Sequence, residues 1–255
     1  MIRVAAIGDL HLRATVPDTI VKGVSSLDGR ADLLVVAGDI TNHGTLSQAE
    51  LAAELFRRVH MPIVAVLGNH DRRTMRRAAF CRTLGTGGIV VLDGTSRVIE
   101  VHGQRVGIAG VGGSGGGFWP DEGPNTLSRK ACQALAVRAR REASRLDAAL
   151  RGLEADTKIV VTHFAPTTST LGREPIVKYA LLGNIELARV IDRHDVDLVL
   201  HGHAHLGNPI GRTPGGTLVR NVAIDVAGGP TFHDLVPMPL FSPRADTWTR
   251  SETAS

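Results

Sequence analysis

One pattern occurs five times in this chain of 255 residues: a short apolar run is followed at once by glycine, aspartate, asparagine or histidine. In the clearest example the apolar residues 63–67, three of them β-branched, are followed by Gly68, Asn69, His70 and Asp71. A short run of this kind that stops at a glycine is typical of a buried strand. In open α/β sheets ligands bind at the carboxyl ends of the strands. The repeated pattern therefore predicts an α/β fold with one polar, ligand-binding edge.

Helical patterns separate the first three apolar runs. The predicted strands span 3–8, 32–39 and 62–67, and the predicted helices span 17–27, 46–59 and 72–84. Strands that alternate with helices in this way favour βαβ units and parallel pairing.

The middle of the chain has a different pattern. Short apolar runs at 89–92, 97–101 and 105–111 are joined by turn-like residues such as His102 and Gly103. This favours an antiparallel meander or hairpin. Beyond it, helices are predicted over 127–150 and 185–194 and strands over 158–162, 196–200 and 217–221. We expect one domain over 1–236 and a poorly ordered tail over 237–255, where proline, serine, threonine and arginine accumulate.

Composition and charge limit the location and the binding partners that this chain is expected to have. No window holds 18 uninterrupted apolar residues, and the N-terminal run lacks a signal-peptide cleavage site, so we expect a cytoplasmic protein with no membrane partner. The formal charge is +4, with 25 arginines and 4 lysines. Arginine suits anionic ligands, although a solvated arginine-rich surface explains the same count. The scarcity of aromatic residues and of nucleic-acid-binding motifs does not favour a nucleic-acid partner.

The polar residues after the five predicted strands form a metal-binding donor set without cysteine. A single Gly-Asp pair is usually a turn, but five such strand ends in one chain are hard to explain as turns. Together these strand ends supply about seven aspartate, asparagine and histidine side chains that could act as ligands. This chemistry suits Mn, Fe, Zn, Ni or Co, and seven ligands exceed what one tetrahedral zinc ion needs. Two divalent ions that share a carboxylate explain the count better.

These motifs resemble those of the calcineurin-like metallophosphoesterases. The resemblance rests on Asp9-x-His11, Gly38-Asp39, Gly68-Asn69-His70-Asp71, His163 and Gly202-His203-Ala204-His205, which occur in this order. It implies a four-layer αββα sandwich, in which two mixed sheets are flanked by helices and a binuclear metal centre lies at the strand ends.

The resemblance also implies a role for each residue. Asp9, His11 and His205 would hold the first ion. Asn69, His163 and His203 would hold the second. Asp39 would bridge the two ions, and a water or hydroxide between them would be the nucleophile. His70 would lie beside the scissile phosphate as a catalytic residue, and Asp71 would orient it. His201 receives no role and is expected to be packed or to support a ligand.

Three functions follow from this resemblance. The preferred one is a phosphodiesterase acting on a small, anionic, nucleotide-like phosphoester, as in the small bacterial members that include cyclic-nucleotide phosphodiesterases. The first alternative is a phosphomonoesterase that acts on nucleotides or proteins. The second is a metal-binding scaffold without catalysis. Each of these three functions is compatible with a homodimer.

Two further features leave their function open. Arg72, Arg73, Arg76 and Arg77 follow the Gly-Asn-His-Asp motif and either steer an anionic substrate or form a solvated face. Phe118 and Trp119 follow a glycine-rich stretch and could line a wall for a substrate base. The Gly-x-Ser-x-Gly pattern in that stretch is not followed by a helix, so we reject it as a nucleophile elbow.

Overall fold

The computed structural model describes residues 1–119 and 126–235, and the predicted tail over 237–255 lies outside these ranges. The strands within them are β1 (Ile2–Ile7), β2 (Leu33–Ala37), β3 (Ile63–Val66), β4 (Ile89–Leu92), β5 (Thr95–Val101), β6 (Gln104–Val111), β7 (Thr157–Thr162), β8 (Leu198–His201), β9 (Ile210–Arg212), β10 (Leu218–Asn221) and β11 (Thr231–Leu235). The α-helices within them are α1 (Asp18–Ser25), α2 (Leu46–Phe56), α3 (Arg77–Gly85), α4 (Arg129–Leu150), α5 (Tyr179–Leu182), α6 (Ile185–Ile191) and α7 (Ile224–Ala227). None of these helices has both the length and the apolar character that a membrane span needs.

The strands form two mixed sheets. The first has the order β11-β1-β2-β3-β4, in which β1 to β4 run parallel and β11 pairs antiparallel with β1. The second has the order β5-β6-β7-β8-β10-β9, with parallel inner strands and antiparallel pairs at both edges. In both sheets the parallel strands direct their carboxyl ends to one edge.

Successive side chains along each strand point to opposite faces of its sheet, and this alternation places an apolar core on both faces. Val4 and Ala6 of β1 lie in an apolar core with Ile108 of β6, between the two sheets. Ala5 and Ile7 point to the opposite face, where a second core contains residues of α1, α2 and α3. A third core packs α4 and α6 on the outer face of the second sheet. The predicted αββα sandwich is therefore confirmed.

Two local predictions need correction. The run Ile89–Leu92 does not join the meander, because it follows α3 in a βαβ crossover and pairs parallel with β3. The hairpin itself is present between β5 and β6, with His102 and Gly103 both at positive φ in its turn. The predicted helix over 72–84 is split into a 3₁₀ turn at Asp71–Arg73 and α3, because the intervening residues offer no buried apolar side chain.

Candidate metal centre

The carboxyl ends of five strands converge on one open cleft with a volume of about 560 Å³. These strands are β1, β2 and β3 of the first sheet and β7 and β8 of the second, although His163 at the end of β7 is fully buried and does not line the cleft itself. The side chains in the cleft include Asp9, His11, Asp39, Asn69, His70, His203 and His205, with Arg13, Asn42 and Asp225 around them. The structure therefore brings residues more than 190 positions apart into one place, because parallel strands end at the same edge.

The potential ligand atoms fall into overlapping groups. Asp9, His11 and His205 form one group, His11, Asp39 and His70 form a second, and Asp39, His163 and His203 form a third. Within each group the donor atoms lie within 4.8 Å of one another. The first and third groups contain five of the ligands that the sequence resemblance implies, Asp9, His11, His205, His163 and His203, together with Asp39, whereas the second group also includes His70.

Individual distances support this grouping. His205 Nε2 lies 3.1 Å from Asp9 Oδ1, on the side of the first group. Asp39 Oδ2 lies 3.7 Å from His11 Nε2 and 3.4 Å from His163 Nε2, so this carboxylate faces both the first and the third group. Asn69 Oδ1 is 2.9 Å from His163 Nε2 and thus lies beside the third group.

The imidazoles are oriented by hydrogen bonds on the side away from the cluster. His163 Nδ1 donates to the Ala37 carbonyl over 2.9 Å, which leaves Nε2 facing Asp39. His203 Nε2 bonds the Leu181 carbonyl over 3.2 Å, and His205 Nδ1 bonds Asp225 Oδ2 over 2.5 Å. A bond of this kind fixes the tautomer of a metal-ligating histidine. Each of the three rings therefore directs its other nitrogen toward the cluster, where a cation could replace the present contacts of His163 Nε2 with Asn69 and of His205 Nε2 with Asp9.

His11 provides the test of whether a metal fits. Both of its ring nitrogens are buried, and neither has a hydrogen-bond partner among the described residues. A buried polar atom without a partner is costly, and native proteins rarely leave one. A divalent ion between Asp9, His11 and His205 would satisfy Nε2, and carboxylate and imidazole are the donors such ions prefer. The residues therefore fit the metal that the resemblance implies.

Backbone strain is concentrated at the same residues. Five non-glycine residues in the described chain have positive φ, and four are Asp9, His11, Asp39 and His203, with φ between 45° and 67°. Side chains other than glycine rarely adopt this left-handed region, and each instance costs about 1–3 kcal/mol. The folded chain therefore tolerates backbone strain at the positions where the candidate ligands enter the cleft.

Glycine allows the loops to approach the carboxylates closely. A Cβ atom on Gly68 would collide with Asp39 Oδ1, and one on Gly202 would collide with Asp9 Oδ2. The glycines of the Gly-Asn-His-Asp and Gly-His-Ala-His motifs therefore make room for the candidate ligands.

Comparison with known proteins identifies the family. Residues 2–207 match the family model described as calcineurin-like phosphoesterase. The chain belongs to this family. The family is metal-dependent, which agrees with the donor clusters in the cleft. No curated protein sequence is significantly similar to this chain.

Solved structures share the fold. The phosphopantetheinyl hydrolase of Mycobacterium tuberculosis matches with a TM-score of 0.68 and 17% identity, over 94% of this chain and 98% of its own. A second structure matches with a TM-score of 0.60 and 15% identity, over 90% of this chain and 93% of its own. A candidate 5′-nucleotidase from Staphylococcus aureus, in complex with alpha-ketoglutarate, has a TM-score of 0.50 and 15% identity, over 86% of this chain and 48% of its own. At these identities the likeness shows the calcineurin-like fold alone.

Charge is strongly polarised among the candidate ligands. Burial alone would lower the pKa of His163, but the neighbouring carboxylate of Asp39 outweighs it and raises that pKa to about 9. The hydrogen bond with Asp9 likewise raises the pKa of His205 to about 9. Burial lowers the pKa of His203 to about 3, so this ring is neutral. At neutral pH two imidazolium groups therefore compensate the buried carboxylates.

Metal binding should therefore release protons. His163 and His205 are protonated at pH 7 in the metal-free protein, and each must lose its proton to become a ligand. We expect the affinity for Mn²⁺ to rise about tenfold per pH unit for each ion between pH 6 and pH 8. Calorimetric titration in two buffers of different ionisation enthalpy measures the released protons. Heats that do not depend on the buffer would contradict this assignment.

The structure shows no hydrogen bond between the Asp71 carboxylate and His70, so it does not support the predicted role of Asp71 in orienting that ring. The Asp71 carboxylate is fully buried and accepts hydrogen bonds from the backbone N–H groups of Ile40, Thr41 and Gly68 and from the Thr41 hydroxyl. The 3₁₀ turn at Asp71–Arg73 directs this side chain between the loops that follow β2 and β3. Asp71 therefore joins the loop that carries Asp39 to the loop that carries Asn69.

His70 is oriented by a backbone carbonyl instead. Its Nδ1 donates to the Asn42 carbonyl over 2.7 Å, and its own N–H donates to Asp39 Oδ1 over 2.8 Å. Its Nε2 lies 3.3 Å from the Arg73 guanidinium, in the cleft. Because a carbonyl only accepts hydrogen bonds, the Nδ1 proton is fixed, and Nε2 is the nitrogen available to a substrate.

Other predicted features have different positions. Arg73 faces His70, whereas Arg72 and Arg77 pair with Asp93 outside the metal cleft. Phe118 is buried in an apolar cluster, so it forms no substrate wall, while Trp119 is exposed. His201 is buried and bonds the Thr170 hydroxyl and the Gly202 carbonyl, as expected for a packed residue.

Asp225 is the residue near the ligands that sequence reasoning missed. It lies in α7, beyond the region that matches the family, and no motif surrounds it. It accepts the hydrogen bond from His205 Nδ1 and thereby fixes the Nε2 of this candidate ligand toward Asp9.

We expect Asp225→Ala to weaken metal binding at the first ion by about tenfold. Loss of such a supporting carboxylate typically costs 10–100-fold in affinity, and the lower end applies because the Asp225 side chain is 57% exposed. Titration with Mn²⁺ measures the change. Asp234→Ala removes a similarly exposed carboxylate in the β11 strand and serves as control. Equal affinities in the two variants would contradict the role.

Proposed function

We propose that this chain is a binuclear-metal-dependent phosphodiesterase that hydrolyses a small, nucleotide-like phosphoester. The observation that supports it best is the position of Asp39. Its carboxylate faces the Asp9, His11 and His205 group on one side and the Asn69, His163 and His203 group on the other. A bridging carboxylate between two donor groups is what a pair of ions requires.

Asp9, His11 and His205 would hold one ion, and Asn69, His163 and His203 the other, with Asp39 between them. Mn, Fe, Zn, Ni and Co are all compatible with this oxygen and nitrogen set. When bound, such a pair would neutralise the phosphoryl oxygens and activate a water molecule for attack on phosphorus.

The chain's own residues would complete the reaction around this pair. The Asn42 carbonyl holds the His70 proton on Nδ1, so Nε2 is the atom that can exchange a proton with the leaving oxygen. Arg73, 3.3 Å from that nitrogen, offers a guanidinium to a phosphoryl oxygen. Asp71 holds the two ligand-bearing loops in register through its four hydrogen bonds.

Two alternatives use the same cleft. A phosphomonoester carries one more negative charge than a diester, and the presence of Arg13 and Arg73 at the cleft is compatible with it. A metal-binding scaffold without turnover would not need His70, whose Nε2 is directed into the cleft. The preference for a diester rests on the motif resemblance to the small phosphodiesterase-like members of the family.

Two chromogenic substrates separate the three functions. Metal-reconstituted protein is assayed with bis-p-nitrophenyl phosphate and p-nitrophenyl phosphate. Turnover of the diester alone supports the proposal, and turnover of the monoester alone supports the phosphomonoesterase. Absence of turnover with metal bound supports the scaffold. A panel of cyclic nucleotides follows, with a phosphopantetheinyl diester included because one structural neighbour is named as a phosphopantetheinyl hydrolase.

A further inference from the structure

A second polar cavity lies beside the metal cleft, between the residues that follow β3 and the long helix α4. Its volume is about 310 Å³. We call it the arginine pocket, and its lining consists of Arg72, Thr74, Arg77, Ser114, Arg138, Arg141, Glu142 and Arg145. None of these described residues lines the metal cleft. The 3₁₀ turn at Asp71–Arg73 separates the two, because Arg73 faces His70 and Arg72 faces the arginine pocket.

The positive charge of the arginine pocket is only partly compensated. Asp93 pairs with Arg72, Arg77 and Arg145. Glu142 pairs with Arg72 over 3.3 Å and with Arg145 over 3.0 Å.

The two remaining arginines, Arg138 and Arg141, have no acidic partner in residues 1–119 and 126–235. Five guanidinium groups against the carboxylates of Asp93 and Glu142 leave an excess of three positive charges. Such an excess around one cavity attracts a multivalent anion.

Two hydrogen-bond donors of the pocket are buried without a partner. They are the Nε of Arg72 and the hydroxyl of Ser114, neither of which has a partner among the described residues. The Arg72 guanidinium is otherwise fixed by Asp93, Glu142 and the Gly113 carbonyl. It also lies close to Gly112, where a Cβ atom would approach its Cζ to 2.7 Å. The Arg72 guanidinium is therefore held in place before any ligand arrives.

From this arrangement we infer that the arginine pocket binds a phosphoryl group. Planar guanidinium groups bind tetrahedral oxyanions bidentately, and a serine hydroxyl adds a further donor. Arg138 and Arg141 supply uncompensated charge at the mouth, and Arg72 supplies a fixed donor at the wall. The phosphoryl group is either a second phosphate of the substrate in the metal cleft or a separate phosphate ion.

Binding of inorganic phosphate to the metal-loaded protein tests this site directly. Equilibrium dialysis compares the wild type with Arg138→Ala, Arg141→Ala and the double variant. We expect each single change to weaken binding at the pocket about tenfold and the double change to remove one of two bound phosphates. Arg140→Ala, an exposed arginine of the same helix outside the pocket, should bind phosphate as the wild type does.

The Asp39→Ala variant distinguishes phosphate bound in the arginine pocket from phosphate bound in the metal cleft, because it alters the candidate bridging residue of the cleft. Phosphate bound at the pocket should persist in this variant, so the pocket can be correct even if the proposed phosphodiesterase is not. Equal phosphate binding in the wild type and the Arg138→Ala/Arg141→Ala double variant would overturn the inference. Loss of all phosphate binding in folded Asp39→Ala protein would overturn it as well.

The source of the phosphoryl group is resolved by kinetics. If the substrate supplies it, the double variant raises KM for a nucleotide diester with a terminal phosphate and leaves KM for the same diester without it unchanged. If a separate ion supplies it, both substrates behave alike, and phosphate raises the Tm of the wild type more than that of the double variant. A double variant that differs from the wild type in neither measurement contradicts the site.

Discussion

Replacement of Asp39 by alanine should reduce phosphoester turnover at least about 1,000-fold and lower the bound metal below two ions per chain. The Asp39 carboxylate is the donor that faces both ligand groups, so its loss weakens both candidate ion sites at once. It also accepts the backbone N–H of His70, which places the catalytic candidate relative to the metals. A change that removes both charge and positioning from a metal-assisted hydrolysis should act on kcat more than on KM.

The control for this variant lies at the other end of the same strand. Asp32 precedes β2, accepts a hydrogen bond from the Arg3 backbone and lies away from the cleft, so Asp32→Ala should retain metal and rate. Metal content by mass spectrometry, steady-state kinetics and circular dichroism are measured on both variants. Two ions and a near-normal rate in Asp39→Ala would show that Asp39 is not the bridge.

Replacement of His70 by alanine should leave two ions bound but reduce the rate about 10²–10⁴-fold, the range typical of a lost acid–base residue. His70 belongs to neither proposed ligand set, and its Nε2 is held toward the cleft by the Asn42 carbonyl bond on Nδ1. The deficit should be largest for substrates with poor leaving groups, because these depend most on protonation of the departing oxygen.

A series of phenyl phosphodiesters with leaving groups of different pKa measures this dependence. The slope of log kcat against leaving-group pKa should be steeper in His70→Ala than in the wild type. His60→Ala provides the matched control, since His60 is exposed and precedes β3, whereas His70 follows the same strand. An unchanged slope would show that His70 does not protonate the leaving group. Loss of metal would instead make His70 a ligand.

The sequence was sufficient to predict the positions that depend on strand polarity. Asp9, Asp39, Asn69, His163 and His203 each follow an apolar run, and parallel strands must end at one edge, so their convergence could be anticipated. The family motifs added the two-sheet arrangement, which the runs alone do not specify. The assignment of the ligands to individual ions remains a prediction.

The structure differs from the expectations where tertiary contacts decide the local geometry. Asp71 is next to His70 in sequence, but the 3₁₀ turn directs its carboxylate to the backbone of Ile40 and Thr41. The run at 89–92 has the composition of a meander strand, but the preceding helix returns it to the parallel sheet. Asp225 supports His205 from 20 residues away, a contact that only the folded chain creates.

The most direct test of the account is an anomalous difference map from crystals of manganese-loaded protein. The account predicts two peaks, roughly 3.5–4 Å apart, on the two sides of the Asp39 carboxylate. One peak should lie against Asp9, His11 and His205, and the other against Asn69, His163 and His203. A single peak, or two peaks that Asp39 does not contact, would contradict the binuclear centre.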